Sequence, residues 1–297
     1  MARGESGIGV AIDVGGTNTR LGFNFPDNSC QHEIISKQVS SKTELEDFMQ
    51  EMVGTMGEIP SKCVVDFTGP VWEHREVQLT NWSGNPKIRL SDLISCGLPD
   101  DATLMVTDME AAGYGVESLA ENQSVPSCRC LSLYEPPGGV SEESGGNKVI
   151  LAPGLGTIGV LSNKKKGTVE PIPSEVQHLP LAVLDEEHHE LLDWYRSYRK
   201  YTRSWKDFVS GKGLEDIYKG FLTIGGQPIT GEYSAGSIAK SVTEGSDPVC
   251  EKALRTFYRC AGKVAQILAL VYQPFGGIFL CGDNSRRNDP FLRQGIL

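Results

Sequence analysis

No apolar run in this sequence approaches the ~20 residues that span a bilayer. No two cysteines stand at the Cys-x-x-Cys spacing of a zinc ribbon or a redox motif. The eight cysteines are scattered, at positions 30, 63, 96, 128, 130, 250, 260 and 281. With no secretory signal ahead of the first strand, reduced thiols in an intracellular compartment are expected. Basic residues are the minority: 28 Lys and Arg against 38 Asp and Glu, a net charge of −10. That balance argues against a nucleic-acid or membrane-surface partner, either of which would want a basic patch. No tandem repeat of short period is present.

What remains is an ordinary soluble composition, 39% hydrophobic and 22% charged, over 297 residues. That length is generous for a single core, and two lobes are expected. Near the start, Ile8, Val10 and Ile12 alternate with small residues as a buried strand does, and Leu21 and Phe23 resume the alternation as a return strand. Between them lies Asp13-Val14-Gly15-Gly16-Thr17-Asn18. Glycines let backbone N–H groups approach an anion closely, and Thr17 and Asn18 add donors, so this hairpin tip suits a phosphate. Its spacing is that of neither the dinucleotide fingerprint nor the P-loop.

Further along, Ser41 to Glu44 reads as a capping box before an apolar helix, and Lys62 to Phe67 as a strand. Ala102 to Thr107 is a buried strand ending on Asp108, with a helix expected from Met109 to Ala120 and Asp108 as its N-cap. Acids at the ends of buried strands are where open α/β sheets place their chemistry. Residues 121–147 form a Pro/Gly/Ser-rich insert. Pro153 to Gly159 reads as a second glycine-rich turn, and Gly282-Asp283-Asn284 as a third, each following a strand. Ser210 to Gly213 reads as a break before a helix. Asp247 and Pro248 open a long helix striped by Val249, Ala253, Phe257, Ala261, Val264, Leu268 and Val271. Glu186 to Glu190, with His188 and His189, has a metal-like composition, but neighbouring residues on a helix point different ways.

Taken in order, these segments make the chain resemble the bacterial-type glucokinases, and among them the trypanosomatid and other protist members. The resemblance rests on Asp-Val-Gly-Gly-Thr-Asn at 13–18, Met-Glu-Ala-Ala-Gly-Tyr-Gly at 109–115, Leu-Ala-Pro-Gly at 151–154, Val-Ser-Gly-Lys-Gly-Leu-Glu at 209–215 and Ser-Ala-Gly-Ser-Ile-Ala-Lys at 234–240. It implies an α/β, two-lobed ribonuclease H-like (actin-like ATPase) fold with an interlobe cleft. The small lobe would span 1–113 and the large lobe 114–297, with the family's C-terminal part missing from the latter. The implied reaction is phosphoryl transfer from MgATP to the 6-hydroxyl of glucose, giving glucose 6-phosphate.

On this resemblance Asp108 is the general base, and Asn81, Thr107, Asp108, Glu175 and His178 hold the sugar. Asp13, Gly15, Gly16, Thr17, Asn18, Gly154, Gly156, Thr157, Gly282 and Asp283 hold the nucleotide. Asp13 also holds Mg2+, through water or phosphate. The sequence departs from the family at Thr107, where asparagine is usual, at Lys206, where a sugar-binding carboxylate is usual, and at Ile158, where glycine is usual. These departures keep open the alternative of a catalytically weak paralogue that binds sugar or nucleotide as a sensor or partner subunit. The expected partner is glucose, with no nucleic acid and no membrane, and a homodimer is left open. The expected compartment is the cytoplasm, with the glycosome as the alternative.

Overall fold

The computed structural model describes residues 7–16, 18–24, 34–121, 132–134, 146–153, 156–163, 168–174, 176–180, 182–199 and 204–294. The chain divides into two compact units, Met1–Ala111 and Ala112–Leu297. The first contains β1 (Gly9–Val14), β2 (Asn18–Asn24), β3 (Ile34–Gln38), α1 (Lys42–Met56), β4 (Lys62–Phe67), β5 (Val71–Trp72), β6 (Glu76–Gln78), β7 (Lys87–Arg89), α2 (Leu90–Ser95) and β8 (Thr103–Thr107). Its main sheet has the order β3-β2-β1-β4-β8, and β5, β6 and β7 form a smaller one. The β1–β2 and β2–β3 pairs are antiparallel, and β1–β4 and β4–β8 are parallel.

Period-two alternation decides which residues the sheet buries. Val10, Ile12 and Val14 on β1 and Cys63, Val65 and Phe67 on β4 enter one core with Leu45, Phe48 and Met49 of α1. The opposite phase, Asp13 and Asp66, therefore lies on the other face. Helix α1 starts as expected at Ser41, whose Oγ accepts the Glu44 N–H. The Glu44 carboxylate, however, accepts from the backbone N–H of Ser40, one residue before the expected partner.

The unit boundary falls within α3 (Asp108–Glu121). The second unit continues with β9 (Lys148–Ala152), β10 (Gly156–Asn163), β11 (Thr168–Ser174), the 3-10 turn Val176–His178, α4 (Glu186–Arg199), α5 (Trp205–Phe208), α6 (Gly211–Ile224), α7 (Ala235–Glu244), α8 (Pro248–Tyr272), β12 (Ile278–Leu280), α9 (Asp283–Arg287) and α10 (Asp289–Leu292). Its sheet has the order β11-β10-β9-β12. The central strand β9 is buried at every position, including Lys148, whose ammonium meets the Glu117 carboxylate of α3 at 2.7 Å.

Helix α8 begins where the sequence places it. Asp247 Oδ1 accepts from Val249 N–H at 2.8 Å, and Pro248 occupies the first position, where a missing N–H costs nothing. Its stripe is shorter than expected, because Leu268 is buried but Val271 is 63% exposed. The expected break at 210–213 is a correction. Ser210 caps α6, and Gly211 and Gly213 lie within its first turn. A Cβ on Gly213 would stand 2.3 Å from the Asp207 carbonyl oxygen, so this glycine serves close packing and not a turn. Among the described residues no helix is long and apolar enough to cross a membrane.

Candidate active site

Parallel pairing brings the C-terminal ends of β1, β4 and β8 side by side. Asp13 of β1 is the register partner of Asp66 on β4 and, across the antiparallel hairpin, of Arg20 on β2. Asp108 follows directly on the end of β8. The turn after Val14 closes through the Gly15 N–H donating to the Asn18 carbonyl at 3.1 Å. A Cβ on Gly15 would come within 2.8 Å of that carbonyl oxygen, and one on Gly16 within 2.7 Å of Asn81 Nδ2. The absence of side chains here thus lets the Asn81 amide lie against the turn backbone. Asn18 is exposed at the start of β2, and Thr17 lies outside the described residues.

Arg20 Nη1 donates to Asp13 Oδ2 at 2.8 Å. Asp66, half-buried beside Asp13, was not among the residues the sequence singled out. Burial, then the charges of Asp13 and Asp108, push its carboxyl up to about 8, with Arg20 opposing. Near neutral pH it is therefore largely protonated, and it stands between two carboxylates as a hydrogen-bonding acid. The rule that drew attention to Asp108, an acid near the end of a buried strand, applies equally to Asp66 and would have found it.

The start of α3 corrects the expected helix boundary. Asp108 is the first residue of the helix and not its cap. The Thr107 Oγ1 accepts the Glu110 N–H at 3.1 Å, and the Glu110 carboxylate accepts the Thr107 N–H at 2.7 Å, a reciprocal capping box. A threonine at this position thus has a structural reason, and its own O–H remains a donor. Asp108 Oδ1 accepts from the Met109 N–H at 2.8 Å, so the carboxylate sits at the positive end of the helix. Both Asp108 and Thr107 are half-buried.

In the second unit, Gly156 and Thr157 begin strand β10, opposite Ala152 and Leu151. The second glycine-rich turn is therefore shorter than the expected 153–159, since glycine at 156 joins the ladder instead of the bend. Gly154 and Glu175 lie outside the described residues, and His178 ends the 3-10 turn on the surface. The third turn adjoins the second. The Cys281 N–H donates to the Leu151 carbonyl at 2.9 Å, and Asn284 Nδ2 reaches the Pro153 carbonyl at 3.5 Å. Gly282, at φ 91, makes a bend that an L side chain rarely adopts. Asp283 is held below the usual carboxylate range chiefly by Arg286, its two oxygens accepting from Arg286 and Arg287 at 3.2 Å each.

Lys206 is exposed on α5, and Asp207 next to it caps that helix by accepting the Ser204 N–H at 2.8 Å. In the His-rich segment of α4, His188 is buried, its Nδ1 accepting the Leu184 N–H, while His189 faces Asp193 across one turn. Burial, the largest cause, lowers the His188 imidazole to about 4. Cys128 and Cys130 lie outside the described residues.

A glucokinase family model matches residues 10–296. The glucokinase of Mesorhizobium japonicum is 28% identical over 292 residues, covering 95% of this chain and 79% of that protein. The crystal structure of Balamuthia mandrillaris glucokinase in complex with glucose superposes with a TM-score of 0.81 at 24% identity, over 98% of this chain and 83% of that one. A ROK family glucokinase from Streptomyces griseus, in complex with glucose and AMPPNP, gives a TM-score of 0.59 at 17% identity, over 95% of this chain and 85% of that one. The fold expected from the motifs, that of the actin-like sugar kinases, is the one these structures share. By the family match along nearly its whole length, this chain belongs to the glucokinase family, the ATP-dependent kinases of glucose.

Proposed function

We propose that this chain phosphorylates glucose on its 6-hydroxyl with ATP as donor, and that Asp108 is the general base. The observation that carries the assignment is the start of α3. Thr107 and Glu110 supply the reciprocal cap, so the Asp108 carboxylate stands at a strand end without serving as the N-cap. A base for this step must accept the proton of the attacking hydroxyl as the phosphorus–oxygen bond forms, and an ionised carboxylate at a helix N-terminus can do so. Asn81 and Thr107 have the amide and hydroxyl to orient sugar hydroxyls, and His178 is the corresponding candidate in the second unit.

The Gly15–Gly16 turn, closed by the Gly15 N–H on the Asn18 carbonyl, would receive the transferring phosphates, because glycine without a side chain lets an anion approach the turn backbone closely. In the second unit the Gly156 and Thr157 backbone and the Gly282 turn, with Asp283, are assigned to the rest of the nucleotide. Magnesium suits the hard oxygen donors present at the strand ends. Asp13 would hold it, through water or the phosphates, and once bound it neutralises charge on the phosphoryl group.

The test is glucose 6-phosphate formation from glucose and MgATP, with Asp108→Asn alongside. Turnover by the wild-type chain and a loss of ~10²–10⁴-fold in the variant are expected for removal of a general base. A variant that keeps more than about a tenth of the wild-type kcat would be incompatible with Asp108 as the base.

A further inference from the structure

We infer that Arg20 is a positioning residue that acts through Asp13: its guanidinium, opposite Asp13 across the β1–β2 hairpin, fixes the carboxylate that meets the metal-bound nucleotide. The inference rests on the phosphoryl-transfer reading above. Asp13 and Arg20 are direct register partners, and one Arg20 nitrogen reaches one Asp13 oxygen at 2.8 Å. The four residues that make the phosphate turn, Gly15 to Asn18, lie between them in the chain.

Without Arg20, the Asp13 carboxylate would lose the donor that holds its Oδ2 across the hairpin, and its orientation would no longer be fixed on that side. The pair is too exposed, at 56% and 39%, to contribute much to folding, so its effect is local orientation. Lysine keeps the charge but carries it on a compact ammonium in place of the planar guanidinium whose Nη1 makes this contact, which makes it a graded probe of this role.

The experiment measures binding of ADP by calorimetry, with Mg2+ and in chelator, to the wild-type chain, Arg20→Lys, Arg20→Gln, Asp13→Asn and the Arg20→Gln/Asp13→Asn double variant. Arg20→Gln is expected to weaken MgADP by about tenfold, with Arg20→Lys between it and wild type. In chelator the loss should be under twofold. In the Asp13→Asn background Arg20→Gln should add less than twofold, because a residue acting through Asp13 has nothing left to position. An equal loss in chelator, or a full loss in the Asp13→Asn background, would overturn the inference and make Arg20 a direct phosphate contact. The KM for glucose should stay within twofold of wild type, and a matching rise there would also overturn it. Absence of turnover in the wild-type chain would refute the kinase reading alone, since the binding cycle is read without catalysis.

Discussion

Replacing Asp66 with asparagine should stabilise this protein, and by more as the pH rises. In the folded chain burial and the carboxylates of Asp13 and Asp108 raise Asp66 from 3.8 to about 8. An acid whose native value lies above its unfolded value keeps its proton in the folded chain while the unfolded chain has already lost it. From about pH 4 to pH 8 the native state therefore binds more protons, and stability falls as the pH rises. The slope is at most about 1.4 kcal/mol per pH unit, and the full displacement corresponds to about 6 kcal/mol. Asp66 is half-buried, so solvent and side-chain relaxation reduce this to about 2–3 kcal/mol. Asparagine has nearly the shape of the protonated acid and cannot ionise. The gain over wild type should thus be negligible near pH 4 and reach about 2–3 kcal/mol at pH 8.5. Urea unfolding at both pH values, in chelator and without nucleotide, measures it. Hydrogen exchange of the β1 and β4 amides assigns the change to the first unit. Parallel pH–stability curves for variant and wild type would refute the argument, since they would mean that Asp66 ionises as an ordinary surface acid.

Two further changes separate structural roles from functional ones. Thr107→Ala removes the α3 cap and should cost about 1 kcal/mol in unfolding free energy. Thr107→Asn restores a cap and should return that stability; if Thr107 also orients sugar, its KM for glucose will differ from that of the alanine variant. Lys148→Met leaves Glu117 buried without its partner, and chemical denaturation should register a loss of about 3 kcal/mol or more. Adding Glu117→Leu should recover most of it, because two apolar side chains remove the uncompensated charge.

The parts of the fold legible in the sequence are those fixed within a few residues. The β1–β2 hairpin follows from alternation on either side of two glycines, and α8 from Asp247 and Pro248 at its start. Asp66 satisfies the strand-end rule, but its pairing with Asp13 was not legible, for a different reason. In Lys62–Phe67 it occupies the polar phase of the strand, the phase ordinarily given to solvent. Only the parallel register with β1 sets it opposite Asp13, and register between segments some fifty residues apart is a property of the assembled sheet.

Glycine caused the other misreadings, because it permits opposite outcomes. At 156 it joins a ladder and at 213 it admits a neighbouring carbonyl, both read as turn or break, whereas at 282 it bends the chain as expected, and the sequence presents the same residue each time. Thr107 is the reverse case. The Thr-x-x-Glu pattern of its capping box was readable, but the acid beside it fitted a cap as well. The choice between them bears on the helix boundary: Thr107 and Glu110 satisfy each other's backbone N–H groups, and the strand-end acid, whose Oδ1 accepts the Met109 N–H, begins the helix itself. The residue that differs from the family's usual asparagine therefore caps this helix, and the side chain that decides the charge at this site is the one on the neighbouring strand.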